Sequence, residues 1–307
     1  MSRTNANLLL LLAGAIWGMG FVAQQTAMDD IGPMLFIALR FLLAGIVVLP
    51  FALRELKLAD GASSYVAAVH ANQNGFFLVG LAFFLGMAFQ QVGLIETSVT
   101  NAGFLTALYV ILVPLLMLTV LRKPQPLIIW PAAGLALFGI YLLSGGNLAT
   151  LNSGDWLIII CALFWATHVI LTGRVGQKSG LPVTMAVTQF FVTAVFAFVA
   201  WVIAVLFGLG ETLPSSNQLL NATPEIIYAG TIAGGLGFTL QAIGQRYTSE
   251  SAAAILISTE SLFAALFGAF FLAERLNYIG YVGCGLIFAA ILMVELMPKK
   301  PASKPLH

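Results

Sequence analysis

Ten stretches of about 20 apolar residues, each almost free of charge, fill most of this 307-residue chain. An α-helix advances ~1.5 Å per residue, so a stretch of this length crosses the hydrocarbon core of a bilayer. Only 8% of the residues are charged, about a third of the fraction in soluble domains, and so few charges cannot cover a water-exposed surface. We therefore predict an all-α membrane protein with ten transmembrane helices. The predicted spans are 8–28, 33–53, 76–96, 99–121, 127–144, 156–174, 182–208, 225–245, 249–271 and 277–296.

The basic residues predict the orientation of this bundle, because cytoplasmic loops carry an excess of Lys and Arg. If both termini are cytoplasmic, eleven of the 13 basic residues fall on the cytoplasmic side. These are Arg3, Arg54, Lys57, Arg122, Lys123, Arg174, Lys178, Arg246, Lys299, Lys300 and Lys304. Arg275 falls in an outer loop, and Arg40 lies inside the second helix. The bias predicts cytoplasmic termini and supports an even number of helices. The segment 54–75 is expected to be a polar cytoplasmic loop.

An internal repeat is the most informative feature of the sequence. Residues 8–144 and 156–296 each contain five predicted helices, with a hydrophilic linker between them. The repeat pairs Trp17 with Trp165, Pro33 with Pro182, Phe41 with Phe190, Gln90 with Gln241, Gly93 with Gly244, Thr97 with Thr248, and Ser98 with Ser249. Chance similarity between apolar segments is the alternative explanation, but polar residues at identical spacing in both halves make it the weaker one.

The number of helices in each half determines how the two halves are related. Five is odd, so the second copy enters the membrane upside down relative to the first. We therefore predict two five-helix units, residues 1–147 and 148–307, related as inverted-topology repeats. Secondary transporters are commonly built in this way, with the substrate site near the middle of the membrane between the repeats.

Several motifs resemble the drug/metabolite transporter superfamily, in particular its EamA-like family with two five-helix repeats. In the first half they are Ala15-Ile16-Trp17-Gly18, Leu39-Arg40-Phe41 and the segment 90–114. In the second half they are Gln245-Arg246-Tyr247-Thr248, the segment 252–260 and Ala273-Glu274-Arg275-Leu276. The family often has proline after the membrane glutamate, where this chain has Ser261, and this departure weakens the expectation of a kink there. The resemblance covers nearly the whole chain and implies an exporter or exchanger of small metabolites, often amino acids.

Two charged residues inside predicted helices are the leading candidates for a substrate site, because charges are unfavourable in the hydrocarbon core. Arg40 lies roughly 10 Å from the outer end of the second helix, and its planar guanidinium suits a substrate carboxylate. Glu260 lies near the middle of the ninth helix, where it suits a substrate amino group or proton exchange. The alternative is that the two residues pair with each other or with backbone carbonyls and only stabilise the fold.

Aromatic residues near the middle of the helices are further candidates. Trp17 and Trp165 occupy equivalent positions and predict an aromatic cavity wall, with plain packing as the alternative. His168 lies one helical turn after Trp165 on the same face. A membrane histidine can relay protons, but we prefer hydrogen-bonded packing as the interpretation of His168.

Uncharged polar residues complete the predicted site. Gln90 and Gln241 either bind substrate or link helices, and their symmetry favours a shared structural role. Asn101 and Tyr109 add polar groups to the fourth helix but lie on different faces, so they cannot both line one cavity. The full set of candidates is Trp17, Arg40, Gln90, Asn101, Tyr109, Trp165, His168, Gln241 and Glu260, with Glu260 as the candidate for proton coupling.

The sequence lacks the motifs of several other protein classes. It has no Gly-x-x-x-x-Gly-Lys phosphate loop for ATP and no clustered Cys/His set for a metal, so we expect neither a cofactor nor a metal. The net charge of +1 argues against nucleic acid as a partner. Cys161 and Cys284 both lie in apolar stretches, which makes a disulfide framework improbable.

Together these features favour a secondary transporter over an enzyme. We expect export of small metabolites, amino acids or related compounds, by alternating access between the repeats. The alternatives are a polytopic membrane enzyme, which needs a polar catalytic cluster at one interface, and a channel, which needs rings of charge. The expected partners are the metabolite and the lipid of the cytoplasmic (inner) membrane. Proton antiport and facilitated diffusion both stay open, as do a monomer and a weak homodimer.

Overall fold

The structure is a computed structural model that describes residues 1–59, 65–143, 151–271, 273 and 277–296. All regular structure in this part of the chain is helical, as predicted. The helices are α1 (Arg3–Ala27), α2 (Pro33–Leu58), α3 (Tyr65–Ala71), α4 (Gln73–Gly93), α5 (Val99–Thr106), α6 (Tyr109–Thr119), α7 (Ile129–Leu143), α8 (Ser153–Ser179), α9 (Pro182–Phe207), α10 (Ser216–Asn221), α11 (Thr223–Ile227), α12 (Phe238–Gln245), α13 (Glu250–Ile257), α14 (Glu260–Phe271) and α15 (Tyr278–Glu295), with a π-helix at Tyr228–Gly237.

The described residues form ten apolar crossings, which confirms the predicted architecture. Eight spans are long and apolar enough to cross a bilayer, and α7 and α15 are shorter apolar helices. Three of the eight spans are composite: α5 with α6, α11 with the π-helix and α12, and α13 with α14. We call the end of the bundle that holds the N-terminus the near end, and the opposite end the far end.

Three predicted connections differ from the structure or lie outside it. α8 continues to Ser179, beyond the predicted span 156–174, so Lys178 lies in a helix and not in a loop. The segment 54–75, predicted to be a polar loop, is partly helical. α2 continues to Leu58, with Leu56 packed in the core, and the short helix α3 precedes α4. The boundary at 147/148 lies outside the described residues. The same is true of Glu274, Arg275, Leu276, Lys299, Lys300 and Lys304.

The packing of the crossings follows the internal repeat. α2 packs against α9, and α7 packs against α15, so the second and fifth crossings of each half pair with their own counterparts. α1 packs against α14 and α12, and its counterpart α8 packs against α6 and α4 in the same manner. Each major contact therefore recurs when the two halves are exchanged, as expected for repeats related by a pseudo-twofold axis.

The repeated glycines explain how closely the halves approach. A Cβ atom on Gly93 would lie 2.8 Å from the carbonyl oxygen of Gly154, in the first turn of α8. A Cβ atom on Gly244 would lie 3.0 Å from the carbonyl oxygen of Ala6, in the first turn of α1. Neither distance leaves room for a side chain, so glycine at these positions allows the close helix contacts that membrane proteins use instead of hydrophobic burial.

The repeated threonines connect each half to the other. At the far end, the hydroxyl of Thr97 donates to Asp155 Oδ1 at 2.5 Å. At the near end, the hydroxyl of Thr248 donates to Asn7 Oδ1 at 2.8 Å. Asp155 and Asn7 occupy equivalent positions in α8 and α1. The threonines of the repeated motif therefore form equivalent hydrogen bonds between the two halves, one at each end of the bundle. We call these two hydrogen bonds the inter-repeat ties.

Carboxylates at the two ends of the α2–α9 pair cap the neighbouring helix. Glu55 accepts from the backbone N–H groups of Val183 at 3.1 Å and Thr184 at 2.8 Å, at the start of α9. Glu211 accepts from the backbone N–H of Met34 at 2.7 Å, at the start of α2. Burial raises the pKa of Glu211 above its ordinary value, and this hydrogen bond partly offsets the shift. Both caps satisfy N–H groups that a helix start leaves without an intrahelical acceptor.

We expect Glu55→Ala and Glu211→Ala each to lower the free energy of unfolding by about 1 kcal/mol, because each removes a helix N-terminal acceptor. Thermal unfolding of the purified protein in detergent measures the effect as a lower Tm. Asp29→Ala is the matched control, since Asp29 is an exposed loop carboxylate. If all three variants unfold at the wild-type temperature, the caps do not contribute to stability.

Candidate functional site

A buried cavity lies between the two halves, at mid-bundle, and extends into the far half. Seven of the nine residues singled out from the sequence line it: Trp17, Arg40, Gln90, Tyr109, Trp165, Gln241 and Glu260. The other lining residues are Gly20, Phe21, Gln24, Phe41, Met87, Thr106, Val169, Ala229, Ala233, Gly234, Phe238 and Ile257. All of them are buried, so the cavity lies inside the bundle and not on its outer surface.

Both halves of the chain line the centre of the cavity. Most of its lining consists of pairs that the repeat makes equivalent. These pairs are Trp17 with Trp165, Phe21 with Val169, Met87 with Phe238, Gln90 with Gln241, Thr106 with Ile257, and Tyr109 with Glu260. Both halves therefore contribute equivalent positions to one site.

Tyr109 and Glu260 meet at this centre. Tyr109 is the first residue of α6 and Glu260 is the first residue of α14, where the fourth and ninth crossings resume after a break. The Tyr109 hydroxyl donates to Glu260 Oε1 at 2.9 Å. Two half-helix N-termini, whose dipoles favour negative charge, thus begin at the cavity. Interrupted membrane helices of this kind surround substrate sites in transporters.

The break before Glu260 corrects an expectation from the sequence. Ser261 in place of proline weakened the case for a kink, yet α13 ends at Ile257 and α14 starts at Glu260. The hydroxyls of Ser258 and Thr259 donate to carbonyls three residues back, at 2.7 and 2.9 Å. Bonds from Ser and Thr hydroxyls to the preceding turn bend helices, so the break forms here without a proline.

Arg40 lines the far half of the cavity without a carboxylate partner among the described residues. Its Nη2 donates to Gln24 Oε1 at 3.3 Å and lies 2.8 Å from Met87 Sδ. Its guanidinium carbon lies 4.9 and 4.7 Å from the ring centroids of Phe36 and Phe41. Nε has no hydrogen-bond partner within the described ranges. Arg40 is thus held by soft and aromatic contacts, with donor capacity left over.

The two equivalent glutamines differ in their partners. Gln90 Nε2 donates to Thr106 Oγ1 at 3.0 Å. The residue equivalent to Thr106 is Ile257, which offers no polar side-chain atom. Gln241 Oε1 is buried with no partner in the part of the chain that the structure describes. The repeat therefore places one glutamine in a structural bond and leaves the other as a free acceptor on the cavity wall.

The two equivalent tryptophans differ in the same way. Trp17 Nε1 donates at 2.9 Å to the carbonyl oxygen of Ala233, inside the π-helix. The equivalent crossing, α4, is a regular α-helix, and Trp165 Nε1 finds no acceptor in the described chain. The ring of Trp165 stacks on Phe238 with centroids 5.8 Å apart. Trp165 therefore presents a free donor beside the cavity.

Two sequence candidates lie away from the cavity. Asn101 Nδ2 donates to Asp155 Oδ1 at 2.6 Å, so its side chain belongs to the inter-repeat tie towards the far end. His168 lies behind Trp165, with Nε2 within 2.9 Å of Gln189 Oε1 and 3.2 Å of Thr172 Oγ1. Because these hydrogen bonds orient both side chains elsewhere, neither residue is part of the lining.

Several lining residues were not predicted from the sequence, although the position of one of them indicated its role. Gln24 is a polar residue in the first apolar stretch, two helical turns after Trp17 and therefore on its face. Phe41, Met87 and Phe238 carry no such signal, because an apolar side chain in an apolar helix does not reveal whether it faces lipid or a cavity.

Comparisons with known proteins agree with this architecture. The sequence matches the EamA-like transporter family over residues 4–145 and 152–296. It is 32% identical to an uncharacterized transporter of Archaeoglobus fulgidus, over 96% of this chain and 87% of that protein. It is 28% identical to the uncharacterized inner membrane transporter YedA of Escherichia coli, over 94% of this chain and 92% of that protein. The uncharacterized transporter YwfM of Bacillus subtilis is 24% identical, over 96% and 95% of the two chains.

A solved structure supports the fold alone. It superposes on this chain with a TM-score of 0.71 at 18% identity, and the match covers 96% of this chain and 98% of the other. The family match extends over both halves, each with five crossings and each contributing to one central cavity. The chain therefore belongs to the EamA-like transporter family, and it is a multi-pass membrane transporter of the drug/metabolite type.

Proposed function

We propose that this transporter is a secondary carrier that exports zwitterionic metabolites, amino acids or related compounds, by alternating access between its two halves. The observation that carries the proposal is the pair of charges on the cavity wall. Arg40 and Glu260 are the charged residues of the lining, and they do not pair with each other.

Two charges of opposite sign in one cavity, with no ion pair among the described residues, favour a substrate that carries both charges. A buried charge is unfavourable unless an opposite charge or several hydrogen bonds compensate it. A zwitterion brings a carboxylate for Arg40 and an ammonium group for Glu260 in one molecule. A purely anionic or cationic substrate would leave one of the two protein charges uncompensated.

The uncharged part of the lining suits the same class of substrate. Trp165 Nε1 and Gln241 Oε1 are a free donor and a free acceptor in the described chain. Trp17, Trp165 and Phe238 surround the centre with aromatic faces, which attract ammonium groups and also pack against apolar side chains.

The repeat supports the mechanism. Equivalent helices meet at the cavity, and equivalent ties hold the two ends of the bundle, so exchanging the conformations of the halves would move the opening from one side to the other. Glu260 is the proposed proton carrier if transport is coupled. Facilitated diffusion without a coupling ion is the alternative, and the response to a pH gradient separates the two.

We place the protein in the cytoplasmic membrane with both termini inside. Arg54 and Lys57 at the end of α2 share the near end with the N-terminus, which the bias of basic residues assigns to the cytoplasm. Under this orientation the cavity extends toward the outer side, as required for release of an exported substrate. The relative YedA is described as an inner membrane transporter.

Counterflow in proteoliposomes tests the substrate class. Vesicles loaded with an amino-acid mixture are expected to accumulate labelled external amino acids in a saturable manner. N-acetylated amino acids and the corresponding decarboxylated amines are expected to compete at least about tenfold less well, because each loses one charge pair. Empty liposomes and liposomes with the Arg40→Gln/Glu260→Gln variant are the controls.

Each other outcome supports a different function. Equal competition by zwitterions and amines would overturn the zwitterion proposal while leaving a carrier. Flux that neither saturates nor shows counterflow would indicate a channel. Covalent conversion of an added compound would indicate a membrane enzyme.

A further inference from the structure

Seven lining residues have no equivalent on the cavity wall, and all of them lie in the far half. Their counterparts lie in the near half, outside the lining. The pairs are Gly20 with His168, Gln24 with Thr172, Arg40 with Gln189, Phe41 with Phe190, Ala229 with Leu78, Ala233 with Ala82, and Gly234 with Phe83. The far half of the cavity therefore has an equivalent region in the near half, which lies outside the lining and carries different side chains. We call this region the hidden counterpart.

The hydrogen bonds of the hidden counterpart follow the repeat. In the far half, Arg40 bonds to Gln24. In the near half, the equivalent residues Gln189 and Thr172 both bond to His168 Nε2, at 2.9 and 3.2 Å. His168, Thr172 and Gln189, which we call the near triad, are all buried. The near triad is thus equivalent to the hydrogen-bonded pair of Arg40 and Gln24. It differs in that an imidazole lies between the two equivalent residues and in that no arginine is present.

Bulky rings occupy the space in the near half that glycines leave open in the far half. Gly20 and Gly234 border the cavity. Their counterparts His168 and Phe83 pack together with ring centroids 5.0 Å apart. Phe83 also contacts Trp165 at 5.6 Å and Phe190 at 6.2 Å. These aromatic contacts separate the near triad from the cavity in this conformation.

The near triad is also not fully satisfied where it lies. His168 Nδ1 is buried and has no hydrogen-bond partner among the residues that the structure describes. A buried polar atom without a partner is unfavourable, because it has lost its hydrogen bonds to water. An unpaired buried polar atom requires a specific explanation, and a partner gained in another state of the protein is one.

We propose that the near triad is a second binding position for the same zwitterionic substrate, exposed when the carrier opens at its near end. This inference rests on the alternating-access function proposed above. In that state the rings of Phe83, Trp165 and His168 separate. The Gln189 amide and the Thr172 hydroxyl then donate to the substrate carboxylate, and His168 Nδ1 accepts from its ammonium group. The substrate is held by a fixed cation on one side and by neutral groups on the other.

Cysteine accessibility tests this directly. The native cysteines are removed as Cys161→Ser and Cys284→Ala, and single Thr172→Cys, Gln189→Cys or Gln24→Cys substitutions are added. Right-side-out and inside-out vesicles are treated with a membrane-impermeant maleimide. Lys57→Cys, at an exposed position of the near end, identifies the near face, and Val195→Cys, on an exposed apolar surface, is the unreactive control.

We expect Thr172→Cys and Gln189→Cys to react from the face that labels Lys57→Cys, and Gln24→Cys from the opposite face. A saturating mixture of amino acids is expected to slow the reaction at both near-triad positions several-fold. Using two positions guards against local misfolding of one variant.

The outcomes separate this inference from the proposed function. If the cysteine-free protein catalyses counterflow but neither near-triad position reacts from the near face, the hidden position does not exist and the carrier function stands. If both positions react from the near face but no amino acid slows them or shows counterflow, the position opens and the proposed substrate class fails. Equal labelling from both faces would contradict an alternating position.

Discussion

Glu260→Gln is expected to reduce amino-acid transport by about a hundredfold or more, because it removes the only negative charge among the described residues that line the cavity. Glutamine has nearly the same shape and keeps an acceptor for the Tyr109 hydroxyl. The fold should therefore persist, while the substrate ammonium group loses its ionic partner. Counterflow of labelled amino acids measures the loss, and thermal unfolding in detergent confirms that the variant is folded.

Tyr109→Phe is the matched variant for Glu260→Gln. It removes the hydrogen bond to Glu260 but leaves the carboxylate in place, so we expect a loss of only about tenfold, the effect of one hydrogen bond to a charged group. A pH gradient adds a second measurement. If Glu260 carries the coupling proton, Glu260→Gln keeps residual exchange but loses gradient-driven accumulation. Normal transport by Glu260→Gln, with and without a gradient, would reduce Glu260 to a structural residue.

Arg40→Lys is expected to weaken substrate binding by about tenfold or more although the charge is kept. The planar guanidinium lies over Phe36 and Phe41 while it also donates to Gln24. An ammonium group cannot stack on two rings and present a fork of donors at once. The substrate carboxylate therefore loses a two-point contact. The measured quantity is the KM for counterflow, which should rise more than the maximal rate falls.

Arg54→Lys is the control for this substitution, since Arg54 is exposed near the end of α2 and should tolerate the change. Arg40→Gln should be worse than Arg40→Lys, because the charge is lost as well as the geometry. Wild-type KM in the Arg40→Lys variant would exclude a two-point carboxylate contact. An equal loss in all variants at position 40, with a lower Tm, would mean that Arg40 acts through folding.

The sequence predicted the class, the ten crossings and the repeat correctly because each depends on local composition. A stretch of about 20 apolar residues has few alternatives to a membrane helix. The polar motifs around Gln90 and Gln241 survive as equivalent contacts, since their glycines and threonines connect the halves at both ends. Most helix bounds agree with the predicted spans to within three residues. The exceptions are α1, which starts five residues earlier, α2 and α8, which each end five residues later, and the added α3.

The sequence could not show which equivalent residues would differ. Gln90 and Gln241 read alike, yet only Gln90 has a threonine partner across the packed helices. Trp17 and Trp165 also have similar sequence contexts. In the described chain only Trp17 Nε1 donates to a carbonyl, because that carbonyl lies in the π-helix and the equivalent α4 is a regular α-helix. These differences depend on contacts between residues far apart in the chain, which local patterns do not encode.

Local sequence therefore determined how often the chain crosses the membrane and that its second half inverts the first, since apolar length and repeat spacing suffice for both. Only the tertiary structure decided that Tyr109 and Glu260 meet at the cavity, that Arg40 lines it with no carboxylate partner among the described residues, and that His168 lies outside the lining. The reason is that an apolar helix can face either lipid or an internal cavity. Only the side-chain packing between the two halves determines which face of each helix lines the cavity.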